Sequence, residues 1–195
     1  MRPCLLRCAA AALGLGAVWG APAAGAQEMP LSAETQVPLL LKILTYDRQL
    51  EAKAGAELAI GIVHDPSDKA SARAADEIAT TLYKFGGKTV KKLPIKYFLI
   101  EYTRAADLES FVKAKKISML YVTPGVSRAL PEILKVAQAL RLTTTTGVPD
   151  YVNKGVSVGL GERQSKPQIF INLASSKSEG SEFDASLLRI ASVVQ

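Results

Sequence analysis

Eight residues, Gly161 to Gln168, separate two apolar, β-branched segments at 156–160 and 169–173. A parallel crossover needs roughly a dozen or more residues, so a connector this short joins antiparallel neighbours. Gly161, Ser165 and Pro167 supply turn chemistry within it, and the flanking Val and Ile residues supply strand propensity. One hairpin is therefore expected near the end of the chain.

Upstream, strand and helix patterns alternate. Val37, Leu40, Leu41 and Leu44 make one helical stripe, and Leu39, Ile43, Tyr46 and Leu50 a second. This helix is expected to open near Pro38, since proline suits a first-turn position. A strand at 58–63 follows. Asp65-Pro66-Ser67 then opens a long helix, with Ala70, Ala74, Ile78 and Leu82 on one face and Gly86-Gly87 at its end. Segments 95–102, 117–122 and 142–146 read as strands, and apolar residues around Leu108 and around Ile133 read as the helices between them. Asp184 stands where an N-cap belongs, before Leu187, Leu188 and Ala191 at helical spacing. The pattern predicts a single three-layer α/β/α domain: a mostly parallel sheet that ends in the antiparallel hairpin, with the last helix packed back on it.

The first 26 residues read as a signal peptide. Arg2 and Arg7 precede an apolar run at 9–19, and Ala24-Gly25-Ala26 offers a cleavage site. The apolar run is about half the ~20 residues that span a bilayer. The expected product is residues 27–195, exported and not membrane-spanning. Both cysteines, Cys4 and Cys8, would leave with the signal. That excludes thiol nucleophiles, cysteine metal sites and disulfides from the remainder. The formal charge of +6 falls to +4 when Arg2 and Arg7 go, because residues 1–26 hold no acid. Lysines cluster at 84–96 and 113–116, but export argues against a nucleic-acid partner.

Residues that carry chemistry are sparse. His64 is the only histidine, at a strand end where open α/β sheets bind ligands. With Asp65, Thr123 and Thr143 it outlines a weak small-ligand rim; cap, turn and strand roles explain the same residues. Gly155, Gly159 and Gly161 lie between strands, not before a helix, so they do not form a phosphate loop. No nucleophile–base pair, paired carboxylates or metal-ligand set stands out, and the expectation is a non-enzyme without cofactor or metal. The two stripes of the first helix exceed the usual apolar face of somewhat over 100°. Leu39, Ile43, Tyr46 and Leu50 are therefore expected to dock a partner or a second copy, unless both faces are buried.

Residues 147–155 (GVPDYVNKG), the strand after them, IFINL at 169–173 and FDASLLRIA at 183–191 resemble the YfiR/HmsC family. IGIVHDP at 60–66 and LYVTPG at 120–125 fit the same pattern, so the similarity runs over nearly all of the chain after residue 26. It implies a periplasmic regulator that binds and restrains a membrane-anchored signalling protein, a diguanylate cyclase or a kinase; the partner is a diguanylate cyclase in the best-understood members. Those members use disulfides, which this chain after residue 26 has no cysteines to make. A second reading, a small-ligand-binding periplasmic domain, stays open on the His64 rim.

Overall fold

The computed structural model describes residues 29–194. The signal segment at 1–26, with both cysteines, lies outside them. The elements in chain order are α1 (Ala33–Leu44), α2 (Leu50–Ala54), β1 (Leu58–His64), α3 (Lys69–Tyr83), β2 (Thr89–Val90) and β3 (Leu93–Glu101). After these come α4 (Ala105–Lys115), β4 (Met119–Val122), α5 (Leu130–Leu140), β5 (Thr143–Thr146), α6 (Pro149–Asn153) and β6 (Val158–Arg163). The chain closes with β7 (Lys166–Asn172), α7 (Leu173–Ser178), α8 (Ala185–Leu188) and β8 (Ser192–Val194).

Eight strands form one sheet in the order β2-β3-β1-β4-β5-β6-β7-β8. The pairs from β3 to β6 are all parallel, and so is β7 with β8; β2–β3 and β6–β7 are antiparallel. β1 lies near the middle and all seven of its residues are buried. Its period-two alternation divides the core. Leu58, Ile60 and Ile62 meet α1, α3 and α8 on one face; Val63, with Leu120 and Val122 of β4, meets α4, α5 and α6 on the other. Each such side chain removed from water contributes roughly 1.5–3 kcal/mol. The three-layer α/β/α reading therefore holds.

The hairpin is present and longer than its apolar ends suggest. β6 and β7 pair down to Arg163 and Lys166, so the turn is only Gln164 and Ser165, both at positive φ (53° and 58°). Two positive-φ residues make the turn that matches strand twist, usually written with Asn or Gly. Lys91 and Lys92 (φ 47° and 68°) close the β2–β3 hairpin in the same way. Gly159 and Gly161 let the β6–β7 hairpin press on α6. A Cβ at Gly159 would overlap Val152, and one at Gly161 would meet Pro149 at 2.5 Å.

Three expectations need correction. The sheet does not end at the hairpin, because β8 adds a further strand beside β7. The closing helix stops at Leu188, since the chain must extend to reach that edge. The first helix opens at Ala33, and Pro38 sits inside it rather than at its start. Proline costs a bond there, but seven buried residues of this helix supply the compensating packing.

Candidate functional site

The carboxyl edge of the parallel strands holds three of the residues expected to form a ligand rim. His64 is 8% exposed and its Nδ1 has no hydrogen-bond partner. Asp65 spends its carboxylate locally, accepting from the Ser67 amide at 2.8 Å and hydroxyl at 2.6 Å, which hold its pKa below the usual carboxylate range. Thr123 is fully buried, donates to Val63 O at 2.9 Å and shares a 2.8 Å bond with Ser71 Oγ. Ser71 Oγ in turn accepts from the Asp65 amide at 2.9 Å. Asp65, Ser71 and Thr123 stitch the β1–α3 turn to the end of β4 through bonds to one another and to nearby backbone.

Thr143 is not with them. In the β4–β5 register Met119 faces Thr143 and Val122 faces Thr146, so Thr143 lies at the opposite, amino end of the sheet. The single rim of His64, Asp65, Thr123 and Thr143 is thus two separate places. The threonine run fills the whole of β5, so its first and last residues lie at opposite ends of the strand.

The first helix is core on both stripes. Ile43 and Leu50 are each 1% exposed and belong to the cluster beneath α1 and α3. Leu39 and Tyr46 are half-buried against that cluster. The expectation of a broad exposed stripe is corrected. Glu34, Pro38 and Lys42 are the exposed residues of α1; Leu39 and, two residues past its end, Tyr46 lie at the margin of the buried face, with Lys42 Nζ 5.5 Å from the Tyr46 ring.

Around Thr143 the structure gathers buried charge. Asp47, which follows α1, is 0% exposed; its Oδ1 accepts from the amides of Gln49 and Glu182, both at 2.9 Å. Its Oδ2 makes no hydrogen bond but lies 3.3 Å from Lys53 Nζ of α2. Lys53 donates to Thr143 Oγ1 at 2.5 Å and Ser181 Oγ at 2.6 Å. Burial lowers the Lys53 pKa, and it outweighs the opposing pull of Asp47. Beside this pair stands Glu179, also 0% exposed. It accepts from the Thr144 amide (2.8 Å), the Thr144 hydroxyl (2.7 Å) and the Ser157 hydroxyl. Burial raises its pKa to about 7, against the lowering effect of those three donors and of Lys53.

A cleft of about 360 Å³ opens over the network, lined by Gln49, Lys53, Ser118, Arg141 and Gly180 among others. Gly180, at φ 73°, lets the Arg141 guanidinium lie across it; a Cβ there would sit 2.7 Å from Arg141 Nε. Lys53 donates two hydrogen bonds and forms an ion pair with Asp47, Glu179 accepts from three donors, and the Ser157 hydroxyl donates to the Glu179 carboxylate. Sequence reading found Thr143 only. Asp47 and Lys53, Ser157, and Glu179 and Ser181 come from three distant segments, and no local motif marks any of them.

No curated protein matches the chain. Among solved structures, a conserved domain protein from Vibrio cholerae O1 biovar El Tor superposes with a TM-score of 0.62 at 17% identity, over 85% of this chain and 61% of that one. The ABC domain from Streptococcus pneumoniae in complex with L-Trp gives 0.57 at 14%, over 84% and 60%. The chain thus spans about three-fifths of those structures, and at such identity the likeness speaks for the α/β fold alone. The sequence itself is more specific: a YfiR/HmsC-like family model matches residues 34–192, from the second residue of α1 into β8. The chain that folds this sheet and buries this network belongs to the YfiR/HmsC-like family.

Proposed function

We propose that this protein is a non-enzymatic periplasmic regulator that binds a membrane-anchored signalling protein, a diguanylate cyclase, and holds it in its inactive state. The observation that carries this reading is the family match over 34–192. A domain of this kind acts by binding one conformation of its partner better than another, and the difference in affinity sets how far the equilibrium moves. Leu39 and Tyr46, on the outer rim of α1, are our proposed contact residues. Ile43 and Leu50 support them from the core.

The test is co-purification with detergent-solubilised membranes, followed by assay of cyclic-di-GMP synthesis by the captured enzyme. Tyr46→Ala and Leu39→Ala should release the enzyme and raise its output while the melting temperature falls less than in the core truncation Ile43→Ala. Capture of no membrane signalling enzyme, or unchanged output on adding excess protein, overturns the proposal. The cleft lined by Lys53 and Arg141 favours a second reading, a small-ligand site, because its volume falls in the range of ligand pockets. A ligand-dependent rise in melting temperature, lost in Arg141→Ala, would support that reading instead.

A further inference from the structure

Ahead of α1 the chain crosses the carboxyl edge of the sheet. Met29 packs against the core cluster that holds Val63, Leu120 and Val122, while Leu31, two residues on, is buried in the cluster on the other face. Between them the chain passes the last residues of β4 and β5, where Gln36, Tyr121 and Gly147 meet. Gln36 and Tyr121 are both 0% exposed. The Tyr121 hydroxyl donates to Gln36 Oε1 at 2.5 Å, and Gln36 Nε2 donates to Leu31 O at 2.6 Å. Met29 Sδ lies beside this pair, 3.5 Å from the Tyr121 hydroxyl and 3.7 Å from Gln36 Nε2. Gly147 leaves no spare room next to them: a Cβ there would sit 2.4 Å from Gln36 Oε1 and 2.8 Å from Met29 Sδ.

Sulfur is scarce in this chain. Its other sulfur-bearing residues are Met1, Cys4, Cys8 and Met119. The first three fall in the segment expected to be removed on export, and Met119 is fully buried at the start of β4. Met29 is only half-buried, so a small oxidant reaches it from solvent. It is also the thioether whose chemical state matters to its neighbours, because two donors face its sulfur.

We propose that Met29 is a site of reversible oxidation by peroxide, and that its sulfoxide releases residues 29–31 from the carboxyl edge. The sulfur lone pair attacks one peroxide oxygen, and the S–O bond forms as the O–O bond breaks. Sulfur loses two electrons and the peroxide gains them. The proton of the transferred hydroxyl passes to the departing hydroxide, which leaves as water. The thioether sulfur accepts weakly from Tyr121 and Gln36; the sulfoxide sulfur is a positive centre and repels both. The new oxygen is a strong acceptor, but Gln36 and Gly147 fill the inner side. It therefore adds on the solvent side and cannot turn toward either donor. A flexible apolar side chain has become polar, and its packing against the core is lost. The edge this uncovers is the one at which open α/β sheets bind ligands. A chain with no cysteine after Cys8 thus carries a two-electron redox signal in a thioether. The inference needs no partner and stands apart from the cyclase reading.

Hydrogen peroxide titration of the purified protein, read by mass spectrometry of its peptides, tests the site. Met29 should gain one oxygen at least about tenfold faster than Met119, since susceptibility follows exposure. Hydrogen exchange should then speed up at the amides of residues 31–36 and 147–148, and a methionine sulfoxide reductase should restore both mass and protection. Met29→Leu keeps the volume but has no sulfur to oxidise, so its exchange should not respond to the same peroxide. Met29→Gln, polar without any oxidant, should reproduce the faster exchange. Equal oxidation rates at Met29 and Met119 overturn the proposal. So does a Met29 sulfoxide that leaves exchange at these amides unchanged, or a peroxide response that Met29→Leu shares.

Discussion

Replacing Lys53 with methionine removes a charge while keeping most of the side chain's volume. The structure allows its cost to be worked out. Asp47 has no exposure, and its Oδ2 has no partner other than Lys53 Nζ at 3.3 Å. Two backbone amides hold Oδ1 in place, so the carboxylate cannot swing out to water. Without the ammonium it becomes an uncompensated buried charge, and Thr143 Oγ1 and Ser181 Oγ each lose a donor, though they retain a 2.8 Å bond to one another. Breaking a buried ion pair on one side typically costs about 3–5 kcal/mol. In a domain of this size each kcal/mol lowers the melting temperature by about 2–4 °C, so the fall should be about 6–20 °C. The double change Asp47→Asn with Lys53→Met removes both charges and should recover most of that loss, because a neutral amide still accepts from the two backbone N–H groups. Urea unfolding of the four proteins closes the cycle. A drop below about 3 °C for Lys53→Met, or a double variant no better than the single, would show that water from the cleft screens Asp47 and that the pair is not a buried one.

Glu179 gives a pH signature. Its pKa of about 7 in the fold stands above the ordinary 4.5, so the native state binds more protons between those values and stability should fall as pH rises from 4.5 to 7. The loss reaches at most about 3 kcal/mol; Glu179→Gln should flatten urea midpoints measured from pH 5 to 8.5. Gly159→Ala drives a methyl group into Val152 of α6 and should cost about 1–3 kcal/mol, read as a lower urea midpoint with unchanged m-value. Ile43→Ala should cost about 2–5 kcal/mol as a core truncation, whereas Leu39→Ala should cost under half of that. Equal losses at Ile43 and Leu39 would contradict the burial difference between them.

The fold was legible where one local rule sufficed. The short connector after Leu160 admits only antiparallel pairing, and β6–β7 obeys it. Asp184 reads as a cap and does cap, accepting from Ser186 N at 2.9 Å. Several short elements escaped, because α6, α7, β2 and β8 are too short to show a period. The two tight turns escaped for a different reason: Lys91-Lys92 and Gln164-Ser165 adopt positive φ without glycine or asparagine to announce it. Both stripes of α1 were visible, yet their number did not tell which lay outside. That depended on α3 and α8, which meet the same cluster from elsewhere in the chain. The polar network was least legible of all. A lysine on a five-residue helix and a glutamate in a serine-rich segment carry ordinary solvent-facing patterns, and only the fold turns both inward.

That network also explains how a chain with no cysteine after Cys8 holds its ends together. Asp47 and Phe183 form an isolated antiparallel bridge; the Arg48 amide donates to Glu182 O, and the Asp184 amide donates to Tyr46 O, both at 2.9 Å. Arg48 adds ion pairs to Glu182 and Asp184 across the surface, but exposed pairs contribute little. The buried Asp47 carboxylate does more, since it binds the Glu182 amide directly and is itself anchored by Lys53. The end of α1 is thereby joined to the segment that leads through α8 into β8, at more than 130 positions' separation. Closing so long a loop costs only slightly more entropy than closing a short one, so a few well-satisfied buried bonds can hold it. A partner that seats on Leu39 and Tyr46 would press on this same joint, because the Tyr46 carbonyl is one of its bonds.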